Sequence, residues 1–255
     1  MSEKERGGAP RSERATGSGS AQEKTLTGQA EDYLKVVYEI EQDGSAAATN
    51  DIALELGIAA ASVSGMLQRL ARLGLVTVER YRGSRLTTLG RHIALQLLRR
   101  HRIIESYLVT KLGFGWDDVH EEAERLEHAA SAELVERMAA ALGHPTADPH
   151  GAPIPTAAGR VDERRLSSIA DLPVRAVARV VRMSDRDPEF LRYLAERGIR
   201  PGATVRVESR EPFDGPITLT VARARHTVGS NAAGRVYVEM EREKPRIPPR
   251  RAHRR

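Results

Sequence analysis

The chain has 255 residues, with 40 Lys and Arg against 35 Asp and Glu and a formal net charge of +5, enough length for two or three domains. Cysteine is absent, which excludes disulfides, thiolate catalysis and thiolate metal sites. Aromatic residues are only 4%, too few for stacking along single-stranded nucleic acid, and no signal-like or membrane-length apolar run occurs, so the expected protein is cytoplasmic with no membrane partner.

In chain order, residues 1–24 are rich in Gly, Ser, Arg and Glu and are expected to be disordered. From Leu26 to Ile40, Tyr33, Val37 and Ile40 repeat at helical spacing. Asn50–Leu56 reads as a short helix stopped near Gly57, and Ala60–Leu73 as a longer one stopped near Gly74. Ala53 at the helix crossing, Gly57 in the turn and Val63 in the core give a helix-turn-helix, completed by Leu56, Leu67 and Leu70. Its second helix presents Ala61, Ser62, Ser64, Gly65, Gln68 and Arg69, small or polar residues that allow close approach to a DNA groove. Leu75–Glu79 and Arg85–Thr88 flank a turn and form a hairpin. Its Arg80, Arg82 and Arg85 suit phosphate or minor-groove contact.

Long helices are expected from about Gly90 to Leu112 and from about Asp117 to Leu142. On the second, His120, Glu124, Glu127 and His128 fall within an arc of roughly 100°. Beside that arc runs an apolar stripe of Val119, Ala123, Leu126, Ala130 and Leu134. His101 and Glu105 stand one turn apart on the first, sharing a face with Leu97, Ile104, Leu108 and Leu112. Acids and imidazoles on core-facing surfaces are costly unless neutralised, and oxygen plus imidazole donors fit a first-row divalent cation; a hydrogen-bonded network is the alternative.

His144–Gly159 carries Pro145, Pro149, Pro153 and Pro155 and is expected to be a linker. Val174–Arg182, Val205–Glu208, Ile217–Ala222 and Val236–Met240 are strand-like, with a helix at Pro188–Arg197 inserted, a pattern of a small barrel-like domain. Charge is distributed unevenly: residues 60–102 carry a local +8, residues 117–136 a local −7, and residues 241–255 the equivalent of the whole +5. A basic stretch followed by an acidic one suggests separate sites for a polyanion and a cation.

The run His101-Arg-Ile-Ile-Glu105, followed by Val119-His120-Glu-Glu-Ala-Glu124-Arg-Leu-Glu127-His128, resembles the diphtheria toxin repressor family of metal-dependent regulators, in its manganese-transport-regulator branch. Ala30-Glu31-Asp32-Tyr33-Leu34 matches as well, and the resemblance runs from about Leu26 to Met240. It implies a mainly α fold with α+β parts: a winged helix-turn-helix at 25–92, a helical dimerisation and metal-binding domain at 93–143, a linker at 144–168, an SH3-like domain at 169–240 and a basic disordered tail at 241–255. It further implies two metal positions, Asp32 with Glu124, Glu127 and His128, and His101 with Glu105, His120 and Glu189; Asp185 and Asp187 are the weaker candidates for the last ligand. Iron-responsive members place Met and Cys where Asp32 and Glu124 stand, and hard carboxylates suit Mn²⁺ better. Lys35 stands where a branch without the C-terminal domain has a ligating Glu, which implies separated sites and not a binuclear one. Arg186 falls where the family can place an acid.

The expected protein is a homodimeric, Mn²⁺-activated regulator of a palindromic double-stranded DNA operator, repressing metal-uptake genes. The alternatives are an Fe²⁺-dependent member of the same family, a regulator of an organic effector, and a di-metal carboxylate enzyme. The last typically uses a Glu-x-x-His pair from each of two helices, which this chain does not provide.

Overall fold

Thr27 opens α1 (Gly28–Glu41) by accepting a hydrogen bond from the Ala30 amide, and Tyr33, Leu34 and Val37 bury its inner face. The computed structural model describes residues 26–240 apart from 43, 163 and 186; the expected disordered ends and Arg186 lie outside the described residues. Then come α2 (Thr49–Leu56) and α3 (Ala60–Arg72). Gly57, at φ 64°, makes the left-handed turn between them. Strands β1 (Val76–Glu79) and β2 (Gly83–Leu86) form an antiparallel hairpin, and Ser84 pairs both backbone groups with Ala47.

Helix α4 (Thr88–Tyr107) continues as a π-helical turn, Leu108–Leu112. The expected single helix over 117–142 is two, α5 (Val119–Glu127) and α6 (Ala132–Ala141). Ser131 accepts from the Leu134 amide and starts the second, so the local cap prevails over the continuous helical period. This break also revises the apolar stripe: Val119 and Ala123 are buried, but Leu126 and Leu134 are exposed, as are Leu112 and Phe114.

The C-terminal unit is a six-stranded antiparallel sheet of β3 (Ser167–Ser168), β4 (Val177–Met183), β5 (Thr204–Arg210), β6 (Ile217–Val221), β7 (Ala224–Val228) and β8 (Val236–Met240). Their spatial order is β3-β8-β4-β5-β6-β7. Between strands lie α7 (Pro188–Ala195) and α8 (Ser230–Gly234). Strand β7 has no readable apolar alternation, because Arg225, His226 and Thr227 occupy its middle.

Three hydrophobic cores result. One joins α1–α3 to the first half of α4, a second packs the end of α4 against α5 and α6, and a third fills the C-terminal sheet. His101 stands between Leu98 of the first core and Ile103 of the second, so the polar cluster built on it lies at the seam. Residues 144–159 are no free linker. Arg99, Arg102 and Gln96 of α4 donate to the carbonyls of Pro155, Pro153 and Ala157, supplying donors to a proline-rich strap that has few of its own. Arg99 and Arg102 are thereby removed from the expected DNA-facing charge.

Candidate metal centre and nucleic-acid interface

Helix α5 carries Glu127 to the seam, where both its oxygens are engaged. Oε1 accepts from Lys35 Nζ, and Oε2 lies 2.7 Å from His101 Nδ1. Burial opposes ionisation of Glu127, but the His101 hydrogen bond and charge, with Lys35, outweigh it and hold the carboxyl below its ordinary value. Burial likewise opposes charge on Lys35, yet Glu127 and Asp32 raise its pKa.

Asp32, Glu127 and His128 form one group whose donor atoms all lie within 4.8 Å of one another. His128, the C-cap of α5, keeps helical backbone angles, and its ring reaches α1. Its Nδ1 lies 2.9 Å from Glu31 Oε2, which leaves Nε2 facing Asp32 Oδ1 at 3.6 Å and Glu127 Oε1 at 3.8 Å. Glu124 does not join this group. It lies half-exposed on α5, 3.6 Å from His120 Nε2.

His101, Glu105 and His120 form a second group. His101 Nε2 is 3.0 Å from Glu105 Oε1 and 3.1 Å from His120 Nδ1. Burial disfavours charge on His101, but Glu105 and Glu127 on either side push its pKa up to about 10. Glu105 is correspondingly lowered against its own burial.

A third group shares Glu105 and adds Asp148, His150 and Asp185. Glu189, expected to complete the ligand set, is exposed on the first turn of α7 and belongs to none of these groups; Asp185, before that helix, stands there instead. Asp187 is occupied as the helix cap, accepting from the Phe190 amide and from Arg235. Asp148 and His150 were missed because they lie in the proline-rich strap. The readable signal was two ligand-type residues two apart, between Ala147 and Ala152. Gly151 seats them: its φ is 86°, and a Cβ there would come within 1.8 Å of the Val181 carbonyl oxygen on β4.

The fit to a cation is specific. His150 Nε2 donates to the Trp116 carbonyl at 2.5 Å, and its other ring nitrogen, Nδ1, has no hydrogen-bond partner among the described residues. That atom is 4.0 Å from both Glu105 Oε2 and Asp185 Oδ2. Glu105 Oε2, Asp148 Oδ2 and His150 Nδ1 are buried acceptors without a hydrogen-bond partner among the described residues; Arg102 Nε approaches Asp148 only to 3.6 Å. Acceptors converging without donors are unfavourable unless a proton or cation stands among them. Accordingly, burial and the Glu105 charge push Asp148 up to about 7.

On the other face, Ala61, Ser62, Ser64, Gly65, Gln68 and Arg69 of α3 are all exposed, as are Arg80, Arg82 and Arg85 of the hairpin. Arg85 is partly committed, donating to the Gly44 carbonyl at 3.3 Å. Arg80 stacks on Tyr81, 90% exposed at the tip, and Arg82 is 3.7 Å from Glu79. Arg82→Ala is therefore expected to weaken binding to operator and random DNA alike and to flatten the salt dependence by about one phosphate contact. Arg85→Ala should also loosen the hairpin. Equal salt slopes for wild type and Arg82→Ala would remove Arg82 from the interface.

The comparisons define the class. Residues 25–84 match the N-terminal DNA-binding domain of iron-dependent repressors, residues 87–156 their metal-binding and dimerisation domain, and residues 168–240 the FeoA domain. The three domains are those of a metal-dependent, DNA-binding transcriptional repressor, not an enzyme: a winged N-terminal domain, a helical dimerisation domain and an SH3-like C-terminal domain. The chain belongs to the diphtheria toxin repressor family. It is 33% identical over 229 residues to the iron-dependent repressor IdeR of Mycobacterium leprae, covering 84% of this chain and 98% of that one. It is 30% identical over 207 residues to the diphtheria toxin repressor of Corynebacterium diphtheriae, covering 77% and 90%. Among solved structures it is similar to a manganese-dependent transcriptional repressor in complex with manganese, at 38% identity and TM-score 0.77, covering 83% of this chain and all of that one. No helix among the described residues is long and apolar enough to cross a membrane.

Proposed function

We propose that the chain is a Mn²⁺-activated repressor that binds a palindromic operator as a homodimer. The observation that carries this reading is the donor set: Asp32 on α1 and Glu127 and His128 at the end of α5 converge within 4.8 Å, all oxygen or imidazole nitrogen. No cysteine is available anywhere in the chain, and hard donors favour Mn²⁺ over softer alternatives. A divalent ion supplies the positive charge that lets these carboxylates sit together. Because the donors come from different helices, holding them fixes α1, and with it the winged domain, against the dimerisation helices. His101, Glu105 and His120, together with Asp148, His150 and Asp185, are the donors for a second region, tying α4 and the strap to the SH3-like domain. The exposed Leu112, Phe114, Leu126 and Leu134 lie in or beside the helices that a partner subunit would cover.

The test is operator binding by chelator-stripped protein titrated separately with Mn²⁺, Fe²⁺ and Zn²⁺. We expect Mn²⁺ to restore binding at the lowest free-ion concentration relative to its affinity for simple oxygen ligands. Restoration by Fe²⁺ alone would assign the iron-dependent reading, which the name of the M. leprae relative supports. Operator binding that needs no metal would overturn both.

A further inference from the structure

Lys35 is an anomaly in a cation site. It lies on α1 one turn after Asp32, its side chain is only 10% exposed, and its ammonium touches two carboxylate oxygens: Glu127 Oε1, and Asp32 Oδ1 at 3.4 Å. Those are the same two oxygens that face His128 Nε2. The ammonium therefore sits on two of the three atoms that would hold a metal ion, and a divalent cation cannot take both oxygens while Nζ keeps them.

We propose that Lys35 is a tethered, displaceable counter-ion that competes with metal for Asp32 and Glu127 and so sets the ion concentration at which the repressor responds. The inference rests on the reading of Asp32, Glu127 and His128 as the ion-holding group. Two adjacent carboxylates, Asp32 half-buried and Glu127 fully buried, repel one another unless a cation neutralises them. Lys35 supplies that cation from within the chain, so the fold survives without metal. The cost is affinity, because an incoming ion has first to break a buried, charge-assisted contact between Lys35 and Glu127. Glu124, half-exposed on the same side of α5, adds a further negative charge acting on Lys35.

The experiment uses full-length protein stripped with a chelator, at one fixed pH, with calorimetric Mn²⁺ titration and thermal unfolding of the metal-free form. Asp32→Asn identifies the binding step belonging to this group, the one it abolishes. In Lys35→Met that step is expected to tighten roughly ten- to a hundredfold, the range a buried hydrogen bond to a charged group represents. Lys35→Arg, which keeps a cation, should stay near wild type. The metal-free Lys35→Met protein should melt earlier than wild type, and Mn²⁺ should raise its midpoint by more. If the methionine variant does not fold, Lys35→Gln takes its place. An Asp32-dependent step that is unchanged or weaker in the uncharged variant overturns the proposal while the ion-holding group stands. Unaltered Mn²⁺ binding by Asp32→Asn overturns the group itself, and the Lys35 proposal with it.

Discussion

Glu127→Ala is expected to abolish metal-dependent operator binding and also to destabilise the metal-free protein by about 3–5 kcal/mol, the usual consequence of removing one partner from a buried ionic cluster. Asp32→Ala is expected to abolish the same response while changing stability by no more than about 1 kcal/mol. The difference follows from burial. Glu127 is 2% exposed, and its loss strands both Lys35 and His101 as charged groups without their shared acceptor. The Asp32 side chain is 35% exposed and has Lys35 at 3.4 Å and His128 at 3.6 Å, contacts that water can replace. The pH dependence has a definite sign. Glu127 titrates below its ordinary 4.5 in the folded state, so its contribution is present above that value and is lost as pH falls through the depressed one. Urea unfolding of both variants, with operator binding at saturating Mn²⁺, checks the pair. A Glu127→Ala protein as stable as wild type would mean that the seam is not held by this carboxylate.

Asp148→Asn should have the opposite effect on stability. Asp148 Oδ1 accepts from the amides of His150 and Ala152 at 2.9 Å, which an asparagine oxygen can preserve. The amide nitrogen then takes the place of Oδ2 in the group that holds Glu105 and His150, adding a donor among acceptors that lack one and removing a buried charge beside the Glu105 carboxylate. The metal-free variant is expected to gain about 1–3 kcal/mol at neutral pH, the cost normally attached to an unsatisfied buried group. Metal should stabilise it less than it stabilises wild type. The folded wild type raises the Asp148 pKa from 3.8 to about 7, so wild-type stability falls as pH rises between those values, and the advantage of the variant grows over that window and is constant above it. A destabilised variant, or an advantage that grows as pH falls, would show that Asp148 is a structural ion-pair partner of Arg102 and not part of a cation cavity.

The helical spacing of Tyr33, Val37 and Ile40, the left-handed stop at Gly57, and the four-residue step from His101 to Glu105 are local, so they could be read directly. Asp32 could not be read that way; in isolation it is an exposed first-turn acid, and only the family resemblance singled it out. Lys35 and Glu127 are 92 positions apart in sequence, so nothing local indicates that the lysine is buried by a carboxylate from another helix. Asp148 and His150 escaped for a related reason. Proline rules out a periodic element but not burial, and it is the donors of α4 and the close approach at Gly151 that pack the strap against the sheet. Glu189 lies exposed on the first turn of α7 and outside the donor groups; of the acids before that helix, Asp187 caps it and Asp185 joins the strap residues, a distinction that no local pattern carries.

The hairpin is attached to the last residue of α1 and to the loop that follows it at three points. Ser84 pairs with Ala47 through both backbone groups, Glu41 accepts from the Leu86 amide, and Arg85 reaches the Gly44 carbonyl. Asp32, by contrast, lies near the beginning of the helix. A 14-residue helix is a rigid rod of about 20 Å, so a tilt of about 5° pivoting at its first turn moves the other end by nearly 2 Å. The wing rides on that end. Helix α1 is in effect a lever arm: a tilt set at its carboxylate end would carry the arginine-bearing tip with it, without any change in the hairpin's own shape.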